Sequence, residues 1–183
     1  SETGRADYLL RNDNGKFVDV TKSAGILQKR NIGNSATWWD FNEDGLIDLH
    51  VGNDFLGPDY LYQNLGNGKF KEVIEDVFPQ ATWFTMGTAV TDTNVDGKPD
   101  FVAADMFPTT HYKQKASMAS MGSLTDALLA APGARQIMHN ALFVHSGTDR
   151  FYEAAYYSGI GQTDWTWAIK SGDYDQDGRP DLY

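Results

Sequence analysis

Three stretches decide how this chain reads: DFNEDGLID at residues 40–48, DTNVDGKPD at 92–100 and DYDQDGRPD at 173–181. In each, Asp fills the first, fifth and ninth positions, Gly the sixth, and Asn or Asp the third. Between them runs a second recurring element, LLRNDNGKFVDV at 9–20, LYQNLGNGKFKEV at 61–73 and the looser LFVHSGTDRF at 142–151. Each of these reads as two short strands joined by a Gly- and Asn-rich turn.

The spacing of the two elements defines a repeat. Asp40 and Asp92 lie 52 residues apart and Phe17 and Phe70 lie 53 apart, whereas Asp92 to Asp173 and Phe70 to Phe151 are both 81. The later unit therefore carries an insertion of roughly 29 residues, placed at about 107–140. There the strand grammar lapses, and Met118, Met121, Leu124 and Leu128 recur at helical spacing before Pro132 and Gly133, which predicts a helix. Strands are expected on both sides of each acidic stretch, for instance at 36–39 and 49–51. Two hairpins per unit make four strands, the content of a propeller blade.

The predicted fold is thus all-β: a partial β-propeller of four-stranded antiparallel blades with a helical insertion. Residues 1–26 read as the second half of a blade, 27–78 as a blade, 79–160 as a blade with the insertion, and 161–183 as the first half of another. The whole forms a single propeller fragment.

The acidic stretches have the chemistry of calcium loops. Calcium takes 6 to 8 oxygen ligands at roughly 2.3 to 2.6 Å, so several side-chain oxygens must converge from one tight loop. The candidate ligands are Asp40, Asn42, Asp44, the Leu46 carbonyl and Asp48; then Asp92, Asn94, Asp96, the Lys98 carbonyl and Asp100; then Asp173, Asp175, Asp177, the Arg179 carbonyl and Asp181. Alternate spacing turns these groups inward, and Gly45 permits the bend. Up to three Ca²⁺ are expected, and three such ions would take the formal charge from −10 to −4. An EF-hand or dockerin-like loop needs a carboxylate at the twelfth position and flanking helices, but here the twelfth residues are Val51 and Ala103. Magnesium tolerates so many protein ligands poorly. A metal-free Asp-Gly turn explains only one or two of the shared positions.

Composition bounds the rest. Of 183 residues 41% are apolar, enough for a real core. The net charge of −10 excludes a phosphate backbone as the expected partner. No apolar run approaches the ~20 residues of a membrane span, and any export signal is expected to lie outside this fragment. With no cysteine, neither disulfides nor thiolate zinc sites can form. His50, His111, His139 and His145 show no metalloenzyme spacing. Trp38, Trp39, Trp83, Trp165 and Trp167 are expected mainly in packing between blades, with sugar stacking as the lesser use. Asp54 and Asp105 are read as solvated turn residues by default.

On these residues the chain resembles the FG-GAP or VCBS repeats of integrin α-subunit propellers and many secreted bacterial proteins, which carry DxDxDGxxD loops between blade strands. The stretches at 61–70, 17–26 and 163–168 resemble more closely the cartilage acidic protein 1 group, often associated with an ASPIC/UnbV domain. The resemblance implies a propeller with structural calcium and an extracellular role in adhesion or recognition. Departures are the SGTDR turn at 146–150 and the absence of an ASPIC/UnbV segment.

The expected function is a calcium-binding extracellular recognition or adhesion module that is not an enzyme. Its partner would be a protein or glycan ligand on a surface, with no nucleic acid and no transmembrane segment in this fragment. The location would be secreted, at the cell surface or periplasmic. Two alternatives stay open: part of a propeller enzyme acting on polysaccharide, or a scaffold subunit of a surface complex.

Overall fold

Hydrophobic residues fill both parities of the central strands, which demands that both faces of a sheet be covered. The computed structural model describes residues 4–55, 57–118 and 133–183, and it meets that demand by stacking sheets face to face.

A first hairpin, β1 (Leu10–Asp13) and β2 (Lys16–Asp19), leads into one helical turn, α1 (Thr21–Ala24). Next come β3 (Gly33–Trp39), β4 (Asp48–Asn53), β5 (Tyr60–Asn64) and β6 (Phe70–Glu72), an antiparallel meander in spatial order β3-β4-β5-β6. The turn α2 (Ile74–Val77) and short β7 (Ala81–Thr82) cross to the second sheet. That sheet contains β8 (Gly87–Thr91) and β9 (Asp100–Ala104), after which β10 (Met106–Phe107) and α3 (His111–Met118) intervene. Short β11 (Gln136–Ile137) returns beside β7, and β12 (Ala141–His145) and β13 (Phe151–Glu153) complete the order β13-β12-β9-β8. Finally β14 (Asp164–Trp165) pairs with β10, and β15 (Ser171–Gly172) pairs with β16 (Asp181–Leu182).

The architecture is all-β, in antiparallel sheets apart from the short parallel pair of β7 and β11, with a helix in the predicted insertion. The helix begins earlier than its hydrophobic spacing suggested, at His111, and runs to Met118. Met121, Leu124 and Leu128 lie outside the described residues. Lys113 ties this helix to β14 by donating to Asp164 Oδ2 at 2.6 Å. The same Lys113 bond and donation from the Thr109 N–H hold the exposed Asp164 carboxyl down at about 2.

The alternation of side chains shows how the stack is made. Phe101 and Ala103 of β9, with Ala141 and Phe143 of β12, face the first sheet and join Trp39, Leu61 and Phe78 in one core. Trp39 stacks on Phe101 with ring centroids 4.7 Å apart, and Phe78 on Phe143 at 4.2 Å. The intervening residues Val102, Leu142 and Val144 face the other way, toward Ile169 and Leu182 near the last hairpin. On the first sheet, Leu49, Val51, Tyr60 and Tyr62 turn toward Leu9, Val20, Ala24 and Ile26 of the first hairpin and its turn. Gly25 ends α1 at φ 90°, and a Cβ there would stand 2.6 Å from the Phe70 carbonyl oxygen, so both its conformation and its neighbour require glycine.

The first strands of successive units also meet side by side. Thr37 Oγ1 on β3 and Thr88 Oγ1 on β8 lie 2.5 Å apart, and Ser171 on β15 donates to Thr91 Oγ1 at 2.7 Å.

Candidate metal centres

All three acidic stretches are the turns between the first and second strands of a hairpin, and they fold alike. In the first, the N–H of Asp44 donates to Asp40 Oδ1 at 3.1 Å and to Asn42 Oδ1 at 3.3 Å. The Gly45 N–H donates to Asp40 Oδ2 at 2.8 Å, and the Leu46 N–H to Asp44 Oδ1 at 2.8 Å. The second stretch repeats each bond with Asp96, Gly97 and Lys98 donating to Asp92, Asn94 and Asp96. The third repeats them with Asp177, Gly178 and Arg179 donating to Asp173, Asp175 and Asp177. Backbone N–H groups thus fix the side chains at positions one, three and five in one orientation.

The backbone explains why the sequence recurs. Position six is Gly45, Gly97 or Gly178, at φ between 83° and 86°. Position four is also left-handed, with Glu43, Val95 and Gln176 at φ 59°, 58° and 64°. Three non-glycine residues there, one of them β-branched Val95, hold an uncommon conformation that the loop's hydrogen bonds enforce.

The ninth residue is different in kind. Asp48 and Asp100 are fully buried and act as junctions of three strands. Asp48 Oδ2 accepts from the Phe41 N–H at 3.1 Å and Oδ1 from the Asn64 N–H of β5 at 2.7 Å. Asp100 does the same with the Thr93 N–H at 2.9 Å and the His145 N–H of β12 at 2.9 Å. Asp181 Oδ2 accepts from the Tyr174 N–H at 2.9 Å, and Asp181 is only partly buried.

Charge makes these loops a fit for a cation. Burial pushes the Asp48 carboxyl up to about 6 even though two N–H groups favour its ionised form, and nearby Asp44 and Asp40 add to the rise. Carboxylate oxygens of Asp173, Asp175 and Asp177 come within 4.8 Å of one another. A positive ion among such oxygens removes the mutual repulsion and offsets the desolvation. The structure therefore brings positions one, three and five together in each loop, as Asp40, Asn42 and Asp44, as Asp92, Asn94 and Asp96, and as Asp173, Asp175 and Asp177, whereas Asp48, Asp100 and Asp181 turn their oxygens to backbone N–H groups and do not join the cluster of carboxylates. Leu46, Lys98 and Arg179 sit at position seven with their N–H groups committed to the fifth carboxylate. The first two loops are joined by the Lys98 ammonium donating to Glu43 Oε2 at 2.5 Å.

A second set of polar residues recurs at the opposite ends of the sheets, unnoticed in the sequence. Asp59, just before β5, accepts from the Asn53 N–H at 2.8 Å and from Thr85 Oγ1 at 2.7 Å, and Thr85 in turn bonds Thr82. Asn140, just before β12, accepts from the Asp105 N–H at 2.8 Å and donates to Thr163 Oγ1 at 2.6 Å, with Thr163 bonded to Thr166. Asp59 and Asn140 thus hold equivalent places, each latching a Thr-x-x-Thr segment that leads into the next unit. Asp7 holds that place at the first seam, where Gly33 replaces the second Thr and a Cβ on it would stand 2.9 Å from the Asp7 carboxylate.

Two expectations need correction. Asp105 is no solvated turn residue: it is fully buried, its Oδ2 accepts from the Trp83 and Phe84 N–H groups at 2.8 and 3.2 Å, and burial pushes it to about 7. Asp54 is half-buried, and burial raises its carboxyl too. Among the tryptophans, Trp39 and Trp83 pack in the core, but Trp38, Trp165 and Trp167 are exposed. Among the histidines, His50, His139 and His145 are buried structural residues.

Comparison with known proteins agrees with this geometry. Residues 40–103, which span the first two acidic loops and the strands β4 to β8 between them, match the family model described as FG-GAP-like repeat. Cartilage acidic protein 1 of Mus musculus is 34% identical over 76 residues, which is 39% of this chain and 12% of the mouse protein. Cartilage acidic protein 1 of Homo sapiens is 33% identical over 76 residues, 39% of this chain and 11% of the human protein. The matched stretch is therefore a small part of the length of these relatives.

Proposed function

We propose that this chain is part of a calcium-loaded β-propeller that acts outside the cell by binding a surface protein or glycan, not by catalysis. The observation that carries the calcium reading is the identical hydrogen-bond pattern of three loops far apart in sequence. Turn formation alone asks for one or two of the shared residues, whereas a hard cation asks for oxygen at positions one, three, five and nine together. The similarity to an FG-GAP-like repeat and to cartilage acidic protein 1 supports an extracellular setting. Open oxygen-ligand sites of this kind fill at calcium of ~0.1 to 1 mM, the range outside cells. No helix among the described residues is long and apolar enough to cross a membrane.

Each recurring polar group has a role in loop, strand junction or latch, and none forms a nucleophile with an adjacent base. Recognition is therefore the favoured activity.

Calorimetric titration of calcium into chelator-stripped chain tests the reading. Binding is expected, with a rise in melting temperature corresponding to about 2.7 kcal/mol per site at a hundredfold excess over Kd. No heat of binding, an unchanged melt and no metal by elemental analysis would remove calcium from the account. A glycan array run beside a polysaccharide lyase assay separates recognition from catalysis: turnover without stable capture favours the enzyme.

A further inference from the structure

The first two acidic loops are joined across the seam between their sheets, and the third stands apart. Glu43, at position four of the first loop, and Lys98, at position seven of the second, form an ion pair at 2.5 Å although they lie 55 residues apart in sequence. Asp96, at position five of the second loop, and His145, at the end of β12, stand close enough to act on the Glu43 charge, His145 favouring it and Asp96 opposing it. Glu43 thus belongs to the first loop by sequence and to the surroundings of the second by position.

The equivalent residues at the next seam are Val95 and Arg179. Both seams have the same stagger. Thr37 and Thr88, which meet at the first, lie three and four residues before their loops, and Thr91 and Ser171, which meet at the second, lie one and two residues before theirs. Position seven of the later loop is therefore carried toward position four of the earlier one in both cases. At the second seam that place is taken by Val95, which has no charge to offer, and Arg179 makes no ion pair among the described residues.

We propose that the bridge from Glu43 to Lys98 couples the first two calcium loops, so that they fill cooperatively, while the third fills on its own.

The proposal rests on the calcium reading and adds a rule for how the sites communicate. Glu43 is held at φ 59° between residues whose N–H groups donate to Asp40 and Asn42, and Lys98 is held by its own N–H bond to Asp96. A cation on the oxygens of either loop stiffens that frame, and with it one half of the bridge. Ordering one partner lowers the entropy lost in ordering the other, and by linkage each ion then favours the other by the same factor. Charge acts in the same direction, because the Lys98 ammonium opposes a cation in its own loop and Glu43 neutralises it. Both side chains are partly exposed, at 46% and 32%, which limits the coupling to about fivefold.

Gly45, Gly97 and Gly178 hold the same place in the three loops, so their amide NMR signals report each loop separately while calcium is titrated into the chelator-stripped chain. The Gly45 and Gly97 signals are expected to move together along a steep curve, and the Gly178 signal along an independent hyperbolic one. Glu43→Gln gives the first loop the residue type that the third already carries at Gln176. It is expected to separate the first two curves and to weaken whichever loop fills second by up to about fivefold. Lys98→Met is expected to remove the same coupling, and the double variant to lose no more of it than either single variant. Val95→Glu places a carboxylate opposite Arg179 and is expected to bring the Gly178 curve into step with that of Gly97. Independent curves for the first two loops, additive effects of Glu43→Gln and Lys98→Met, or a Gly178 curve that Val95→Glu leaves in place each overturn the coupling while calcium binding stands. No calcium-dependent shift at any of the three glycines overturns both.

Discussion

The first and third acidic loops share one backbone and one set of hydrogen bonds, yet they stand on different foundations. The first is rooted in a complete sheet: its ninth residue, Asp48, is fully buried and accepts N–H groups from the loop and from β5. Among the described residues the third is rooted in a two-stranded hairpin, where Asp181 is partly exposed and accepts one N–H, from Tyr174. The same nine-residue sequence thus does two jobs. Positions one, three and five shape the loop wherever it occurs, whereas the ninth becomes a structural junction only where a third strand is present.

The sharpest way to break this comparison is to remove the ninth carboxylate in each loop with calcium chelated. Asp48→Ala leaves the Phe41 and Asn64 N–H groups without acceptors in a buried setting, at about 2 to 5 kcal/mol in total. Asp181→Ala exposes one N–H to water and is expected to cost about 1 kcal/mol or less. Urea denaturation of the two variants measures the gap. Equal losses would show that Asp48 acts through the loop alone.

Asp105 offers a comparison within the buried set. It occupies the place that Asn53 holds in the first sheet, five residues beyond the ninth Asp, and both are fully buried. Burial raises the Asp105 carboxyl from 3.8 to about 7, with the neighbouring Asp59 adding to the rise. Because the folded state holds this proton more tightly than the unfolded chain, stability from this group is full below the unfolded value of 3.8, falls as pH rises above it, and is lost by about pH 7. Asp105→Asn keeps an acceptor for Trp83 and Phe84 without the charge. At pH 8 the variant should be the more stable by something on the order of 2 kcal/mol, and its advantage should shrink as pH falls and vanish below 3.8. Thermal melts across that range, without calcium, are the measurement. A parallel offset at every pH would remove the protonation account.

These contrasts also mark what a reader of the sequence can and cannot see. The loops, the hairpins between them and the insertion were legible because their signals are local: turn residues at fixed offsets and a period near 52 residues. The burial of both sheet faces was implicit in runs such as Phe101 to Ala104. Asp105 was misread because an isolated Asp after a strand looks like a turn residue, and its partners Trp83 and Phe84 lie 22 and 21 residues away. The latch was missed for the same reason: Asp59 and Thr85 are 26 residues apart, in different units. Exposed Trp165 and Trp167 could not be told from core tryptophans by composition. Their repeat equivalents Phe84 and Met86 are buried.

The latch itself supplies the finest contrast. Thr85 and Asp59 are sealed between two complete sheets, with Thr85 at 0% and Asp59 at 2% exposure. Thr166, its counterpart, bonds Thr163 at 2.6 Å in an exposed setting before the last hairpin. Thr85→Val preserves shape but takes a donor from the buried Asp59 carboxylate, which still faces the Thr82 hydroxyl and, at 3.4 Å, His50 Nε2. A loss of about 1 to 2 kcal/mol is expected there, against about 0.5 kcal/mol or less for Thr166→Val, where water replaces the missing hydroxyl. Equilibrium unfolding of both variants decides it.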